Sequence, residues 1–144
     1  MNADDQAVKE RVQGDYSADE IDAIYNLARV HLENGDLRRA EVLLTGLVVV
    51  APLMVPAWLG MAYVSTQRRE YEHALRHAKA ALKIEPDNGA AMLYLVALSL
   101  VLSDYNTAGT YLGEVGEQIE LGTVSQPELV RFYRMQLARY NHRE

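Results

Sequence analysis

Residues 55–86 read VPAWLGMAYVSTQRREYEHALRHAKAALKIEP, and the main features of this block recur 34 residues earlier and 34 residues later. The recurring positions hold a large apolar residue, an acidic residue, a small alanine and a closing proline. They are Ile24, Trp58 and Met92; Asp36, Glu70 and Asp104; Ala40, Ala74 and Ala108; and, in the first two blocks, Pro52 and Pro86. A fixed period of this length indicates a stack of repeated units.

Each block has the pattern of two antiparallel helices, A and B. The small alanines let helix B lie close to helix A, and proline ends helix B because it cannot continue the hydrogen-bond ladder. One pair cannot bury its apolar face alone, so the pairs are expected to stack. We therefore predict an all-α protein with an N-terminal extension (residues 1–16, a short helix or frayed) and a single domain (17–144) that contains repeats at about 21–54, 55–88 and 89–122 and a capping helix at about 126–141.

The sequence also predicts how the stack begins and ends. Residues 17–20, SADE, form a capping box, and residues 125–128, SQPE, are a second capping signal before the last helix. Apolar residues at helical spacing in that helix should cover the open end of the stack; they are Leu129, Tyr133, Leu137 and Tyr140. Three glycines in the preceding helix each cost roughly 1 kcal/mol relative to alanine, unless their small size permits close packing; they are Gly109, Gly113 and Gly116.

The composition argues against several classes of function. The chain has 144 residues, is 49% hydrophobic and carries a formal net charge of −6. Negative charge argues against nucleic acid and against anionic membranes as partners. The chain has no cysteine, hence no disulfide and no thiolate metal site. Its first ten residues, MNADDQAVKE, lack the basic and apolar regions of a secretory signal, so we expect a cytoplasmic protein.

The A helices of such a stack line its concave side, and the register of the repeat predicts which residues face the groove. They are Asp22, Tyr25, Arg29 and Leu32 in the first block, Pro56, Leu59, Tyr63 and Thr66 in the second, and Ala90, Leu93, Ala97 and Leu100 in the third. Arg29 is the only cation among them. An apolar groove with tyrosines suits an extended peptide. The predicted contacts are Tyr25, Leu59, Tyr63, Leu93 and Leu100.

The third A helix raises a separate question, because residues 90–102, AAMLYLVALSLVL, contain no charge. The stretch is too short to span a membrane, which takes about 20 residues. Its second apolar face, with Leu93 and Leu100, either binds a partner, forms a homodimer, or is covered by the chain's own termini. The sequence leaves these alternatives open.

The recurring residues resemble the tetratricopeptide repeat. Trp58, residues 61–62, Ala74 and Pro86 match its pattern, whereas Glu120 stands where the third proline would be, which indicates that the array ends there. The resemblance implies a tetratricopeptide-repeat superhelix that binds protein. Some members grip a C-terminal carboxylate with several basic residues on successive A helices, and the groove predicted here lacks such residues.

Residues 17–140 further resemble the class II chaperones of bacterial type III secretion, which hold hydrophobic translocator proteins before export. Ser17, residues 24–28 (IYNLA) and residues 58–62 (WLGMA) carry this likeness. Arg29 and Leu32 depart from it, since that family tends to have aromatic residues there. The resemblance implies a bacterial protein of transport and virulence whose groove holds an apolar client segment. The alternatives are a scaffold without a secreted client, or a chaperone for needle, rod or export-switch subunits.

The sequence shows no catalytic pattern. His73 and His77 lie four residues apart on one helix, but a metal site needs a third ligand, and no further histidine or cysteine is near. Residues 109–116, GTYLGEVG, follow no strand and are not a phosphate-binding loop. We therefore expect a protein that is not an enzyme and that needs no metal and no cofactor.

Overall fold

The computed structural model describes residues 15–143, and each regular element in that range is an α-helix. The helices are α1 (Ala18–Glu33), α2 (Leu37–Val50), α3 (Val55–Gln67), α4 (Tyr71–Ile84), α5 (Gly89–Val101), α6 (Tyr105–Glu120) and α7 (Pro127–Asn141). The A helices are α1, α3 and α5, and the B helices are α2, α4 and α6. The predicted N-terminal extension lies outside the described residues, apart from its last two positions.

The helices stack in chain order. Each of the first six packs against the next, and α1 also touches α3. Because short turns make neighbouring helices antiparallel, the three A helices run in the same direction and form one layer. The last helix, α7, packs against both α5 and α6.

The 34-residue period is also present in the backbone of the three turns between helices A and B. Gly35, Arg69 and Ser103 occupy equivalent positions, and all three are left-handed, with φ values of 75°, 60° and 60°. In each turn, the next residue's amide donates to the carbonyl five residues back, at 2.8–2.9 Å. This is the Schellman ending of a helix, repeated three times.

Side-chain caps fix the starts of several helices. The Ser17 hydroxyl accepts from the Glu20 amide at 3.1 Å, and Glu20 Oε1 accepts from the Ser17 amide at 3.2 Å, so the predicted capping box is confirmed. The second predicted capping signal, residues 125–128, is wrong in one respect, because Ser125 does not cap the helix. The N-cap of α7 is Gln126, which makes no side-chain capping bond. Pro127 follows it, and its ring nitrogen leaves one fewer amide to satisfy.

The repeated alanine lies where helices A and B of each pair are in contact. Ala40, Ala74 and Ala108 are fully buried, as close approach of helices A and B requires.

Trp58 is half-buried, and its Nε1 donates to the Pro52 carbonyl at 2.8 Å. This bond ties the second A helix to the loop that ends the first pair.

The last helix closes the end of the stack with the four residues that the sequence pattern predicts. Leu129, Tyr133, Leu137 and Tyr140 pack on the apolar clusters of α5 and α6. A Cβ on Gly116 would lie 2.7 Å from the Tyr133 hydroxyl, and one on Gly109 would lie 2.8 Å from that of Tyr140. Two of the three glycines of α6 therefore permit close packing of α7, whereas Gly113 has no neighbour within 4 Å.

Candidate functional site

A cleft of about 500 Å³ lies on the A-helix layer. It is called the tyrosine cleft below, and it joins residues of α1, α3, the loop between α4 and α5, and α5. Its lining residues are Tyr25, Leu32, Glu33, Val55, Pro56, Leu59, Gly60, Tyr63, Glu85, Asn88 and Tyr94. Most of these side chains are apolar or aromatic, and the polar ones include two carboxylates and an amide. Such a surface offers apolar burial together with a few groups that fix orientation.

Three tyrosines, one from each A helix, meet in this cleft: Tyr25, Tyr63 and Tyr94. Burial, and after it the neighbouring phenol groups of Tyr63 and Tyr25, raises the pKa of Tyr94 to about 12. The Tyr94 hydroxyl is therefore protonated at physiological pH and can donate a hydrogen bond. The Phe132 ring of α7 packs against the Tyr94 ring edge to face, with centroids 6.4 Å apart, and holds it in place.

The structure brings together several of the residues that the sequence placed in the groove. Tyr25, Leu32, Pro56, Leu59 and Tyr63 all line the tyrosine cleft. Two others stand outside its lining. Arg29 is exposed and pairs with Glu33 at 3.4 Å. The Thr66 hydroxyl donates to the Ala62 carbonyl at 2.7 Å, inside its own helix.

The prediction for the third A helix needs correction, because that helix is covered by the chain's own last helix. Leu93 is 0% exposed and belongs to a cluster that packs against Leu129, Phe132 and Tyr133 of α7. Leu100 packs on the neighbouring cluster together with Leu137 and Tyr140. Of the alternatives left open, coverage by a terminus is the one found. Leu93 has no surface to offer a client, and Ala90, Ala97 and the exposed Asp22 also stand outside the cleft lining.

Sequence reasoning missed Tyr94, which takes the place in the groove that was assigned to its neighbour Leu93. The two residues differ by about 100° around the helix, so an error of one position exchanges core and groove. A signal was present, because Tyr94 is the only aromatic residue in the apolar stretch 90–102. A phenol has a polar end that favours a position at the edge of the core.

The two histidines on α4 make separate contacts, His77 with an aromatic ring and the exposed His73 with an arginine. The His77 ring lies 6.1 Å from the Trp58 ring, and His73 Nδ1 lies 2.9 Å from an Arg76 nitrogen. Burial lowers the pKa of His77, and the neighbouring His73 and Arg76 lower it further, while Glu41 opposes them. Among residues 15–143, no three side chains of the kinds that bind metals come together.

A second apolar surface lies on the outer side of the first helix pair. Leu27 of α1 and Val42 of α2 are 50% and 68% exposed and border one shallow groove. Arg38, Arg39 and His31 lie beside them. As for membranes, no helix within residues 15–143 has the length and apolar character that a bilayer crossing requires.

No family model matches this sequence, and no curated protein matches it. Solved structures are nevertheless similar to its fold. The type III secretion chaperone SycD of Yersinia enterocolitica, in complex with a peptide of the translocator YopD, has a TM-score of 0.75 at 16% identity, over 87% of this chain and 92% of that chain. A type III secretion complex from Aeromonas hydrophila has a TM-score of 0.75 at 15% identity, over 89% of this chain and 83% of that chain.

The third similar structure is the TPR2AB domain of yeast Sti1 in complex with pHSP90, with a TM-score of 0.76 at 14% identity. It covers 94% of this chain, which spans about half (53%) of that one. The fold is therefore a tetratricopeptide-repeat superhelix, as predicted. The predicted resemblance to type III secretion chaperones is confirmed at the level of the fold.

Proposed function

We propose that this protein is a non-enzymatic chaperone of a bacterial type III secretion system. In the cytoplasm it holds an apolar segment of a client protein before export. The observation that carries the proposal is the tyrosine cleft, an apolar and aromatic surface that residues 15–143 leave open at the first two repeats. The structural similarity to SycD, which was solved with a translocator peptide, supports the same use of the fold.

In this mechanism, apolar side chains of the client lie against Leu32, Pro56 and Leu59, and the three phenols contact its backbone and side chains. The volume of about 500 Å³ lies in the range of pockets that hold small ligands, so a few side chains fill it. Each square ångström of apolar surface removed from water contributes about 25 cal/mol. While bound, the client segment is unavailable for aggregation or premature insertion into a membrane.

The charge of the cleft argues against capture of a C-terminal carboxylate. Glu33 and Glu85 line the cleft, and no lysine or arginine among residues 15–143 does. A free carboxylate would meet negative charge there, and the nearby Arg29 already pairs with Glu33. We therefore place the client contact on an internal segment of its chain.

A matched pair of variants tests the proposal. Leu59→Asp places a charge in the tyrosine cleft, and Leu121→Asp makes the same change at a leucine that is 72% exposed after α6. Each tagged variant is captured from the native bacterium, and bound proteins are identified by mass spectrometry. We expect wild type and Leu121→Asp to retain a secreted client. The amount of client captured with Leu59→Asp should be at least about tenfold lower, while its helical circular dichroism is unchanged. Retention of the client by folded Leu59→Asp would contradict the proposal.

A second candidate function is self-assembly, as a homodimer or scaffold with no secreted client. The observation that favours it is the exposed pair Leu27 and Val42 on the first helix pair. Sedimentation at two concentrations tests it, with Val42→Glu as the variant. A dimer that Val42→Glu dissociates would favour this candidate, and a monomer at both concentrations would exclude it.

A further inference from the structure

The two acidic groups of the tyrosine cleft belong to opposite ends of the A-helix layer. Glu33 is the last residue of α1, and Glu85 is the C-cap of α4, four residues before α5 begins at Gly89. Because the A helices run in the same direction, the first lies at the carboxyl end of the layer and the second at the amino end. The cleft between them is lined by apolar and aromatic side chains.

Among residues 15–143, neither carboxylate is neutralised by a strong partner. Glu33 pairs with Arg29 at 3.4 Å, and both side chains are more than half exposed, at 62% and 54%. Such exposed pairs contribute little, so a cation from a ligand can replace Arg29. Glu85 accepts a hydrogen bond from the Asn88 side-chain amide at 2.8 Å, which leaves its charge in place. The carboxyl end of α1 adds the negative pole of a helix dipole beside Glu33.

We propose that the client segment is an extended apolar stretch flanked by lysine or arginine residues, which bind Glu33 and Glu85. This inference rests on the proposed function of the cleft and adds the charge of the ligand to it. An A helix of 13–16 residues is about 20–24 Å long. An extended chain rises about 3.3 Å per residue, so about six or seven residues span the length of one A helix, and the sideways offset from α1 to the start of α5 adds to the spacing of the two basic side chains.

The arrangement gives each part of the ligand a different role. The apolar stretch supplies affinity by burial among Leu59, Pro56 and the tyrosines. The basic residues fix position and direction, and they exclude apolar segments flanked by acids, which Glu33 and Glu85 repel. A helix dipole acts with both charges, because Glu33 is the last residue of α1 and Glu85 is the C-cap of α4.

A display selection tests the inference without knowledge of the client. A library of random 12-residue peptides is selected against four proteins: wild type, the double variant Glu33→Gln/Glu85→Gln, the control Glu117→Gln/Glu120→Gln, and Leu59→Asp. The control removes the same charge from exposed residues of α6, a B helix. We expect wild type and control to enrich peptides with an apolar centre and with lysine or arginine at its flanks about two- to fivefold over their library frequency. The double variant should keep the apolar centre and lose the basic flanks.

The outcomes separate this inference from the proposed function. Apolar peptides with no basic preference, lost in Leu59→Asp, would overturn the inference and leave the cleft as a client site. A basic preference that the double variant retains would also overturn it. Absence of enrichment over Leu59→Asp would overturn both, as would self-association through the cleft in place of peptide binding.

Discussion

The A-helix layer has two halves that are similarly apolar but differ in whether another helix covers them. In the first half, Leu32 of α1 and Leu59 of α3 stay half-buried and border the open tyrosine cleft. In the second half, Leu93 of α5 is fully buried under α7. Within residues 15–143, the last helix thus fills one part of the groove, and the other part is open.

This difference explains why residues 90–102 carry no charge. Helix α5 packs against α4 on one side, against α6 on another, and against α7 on the face that the preceding A helices leave open. An A helix with neighbours on nearly all sides is expected to be apolar all round. The capping helix therefore decides where the groove ends, and the apolar character of an A helix does not by itself mark a binding surface.

The largest expected effect comes from the same truncation in the two halves. Leu93→Ala should lower the free energy of unfolding by about 3 kcal/mol, as is usual for a fully buried leucine. Leu59→Ala should lower it by about 1 kcal/mol, because Leu59 is only partly buried at the edge of the cleft. Urea unfolding of both variants measures the difference. Equal losses would mean that the two halves are covered to the same extent.

A smaller effect tests the contact between α6 and α7. Gly113→Ala should raise the free energy of unfolding by up to about 1 kcal/mol, because alanine favours the helix and the site is open. Gly116→Ala should cancel this gain or lower stability by about 1 kcal/mol, because the new methyl group displaces the Tyr133 ring. Thermal unfolding of the pair checks the order, and equal stabilisation would show that Tyr133 does not rest on Gly116.

The smallest effect concerns the repeated turns, which are the same in both halves. Ser103→Gly should stabilise the protein by about 0.5 kcal/mol, because glycine adopts a positive φ without strain. Gly35→Ala in the equivalent turn should destabilise it by about 1 kcal/mol. Chemical denaturation measures both. A loss of stability in Ser103→Gly would contradict the left-handed assignment at that turn.

The period of the sequence predicted the helix pairs because each repeat is defined by local features: alanines at contacts, caps and turn positions. The helices from Leu37 to Glu120 fall within a few residues of the positions that the pattern indicates. The third repeat ends without a proline. Glu120 stands at the position of the proline and is the last residue of α6, and the left-handed Gly122, with a φ of 79°, follows two residues later.

The cleft was harder to predict than the fold. Tyr25, Leu59 and Tyr63 were placed correctly by register alone, because their helices keep the repeat geometry. Whether Leu93 or Tyr94 lines the cleft depends on how α7 packs against α5, and that contact joins residues far apart in the chain. The sequence indicates this contact only through a shared spacing. Gly109 and Gly116 are as far apart as Tyr133 and Tyr140, and the glycines contact the tyrosines in antiparallel order.

The account's main claim, that the open half of the A-helix layer holds the client, is tested most directly by site-specific photo-crosslinking in the native bacterium. A photoreactive amino acid replaces Leu59 in the tyrosine cleft or Met135 on α7, which is 61% exposed. We predict that irradiation joins a secreted client to the protein labelled at position 59 and not to the one labelled at position 135. Client adducts at position 135 alone, or none at position 59 while the client co-purifies, would contradict the claim.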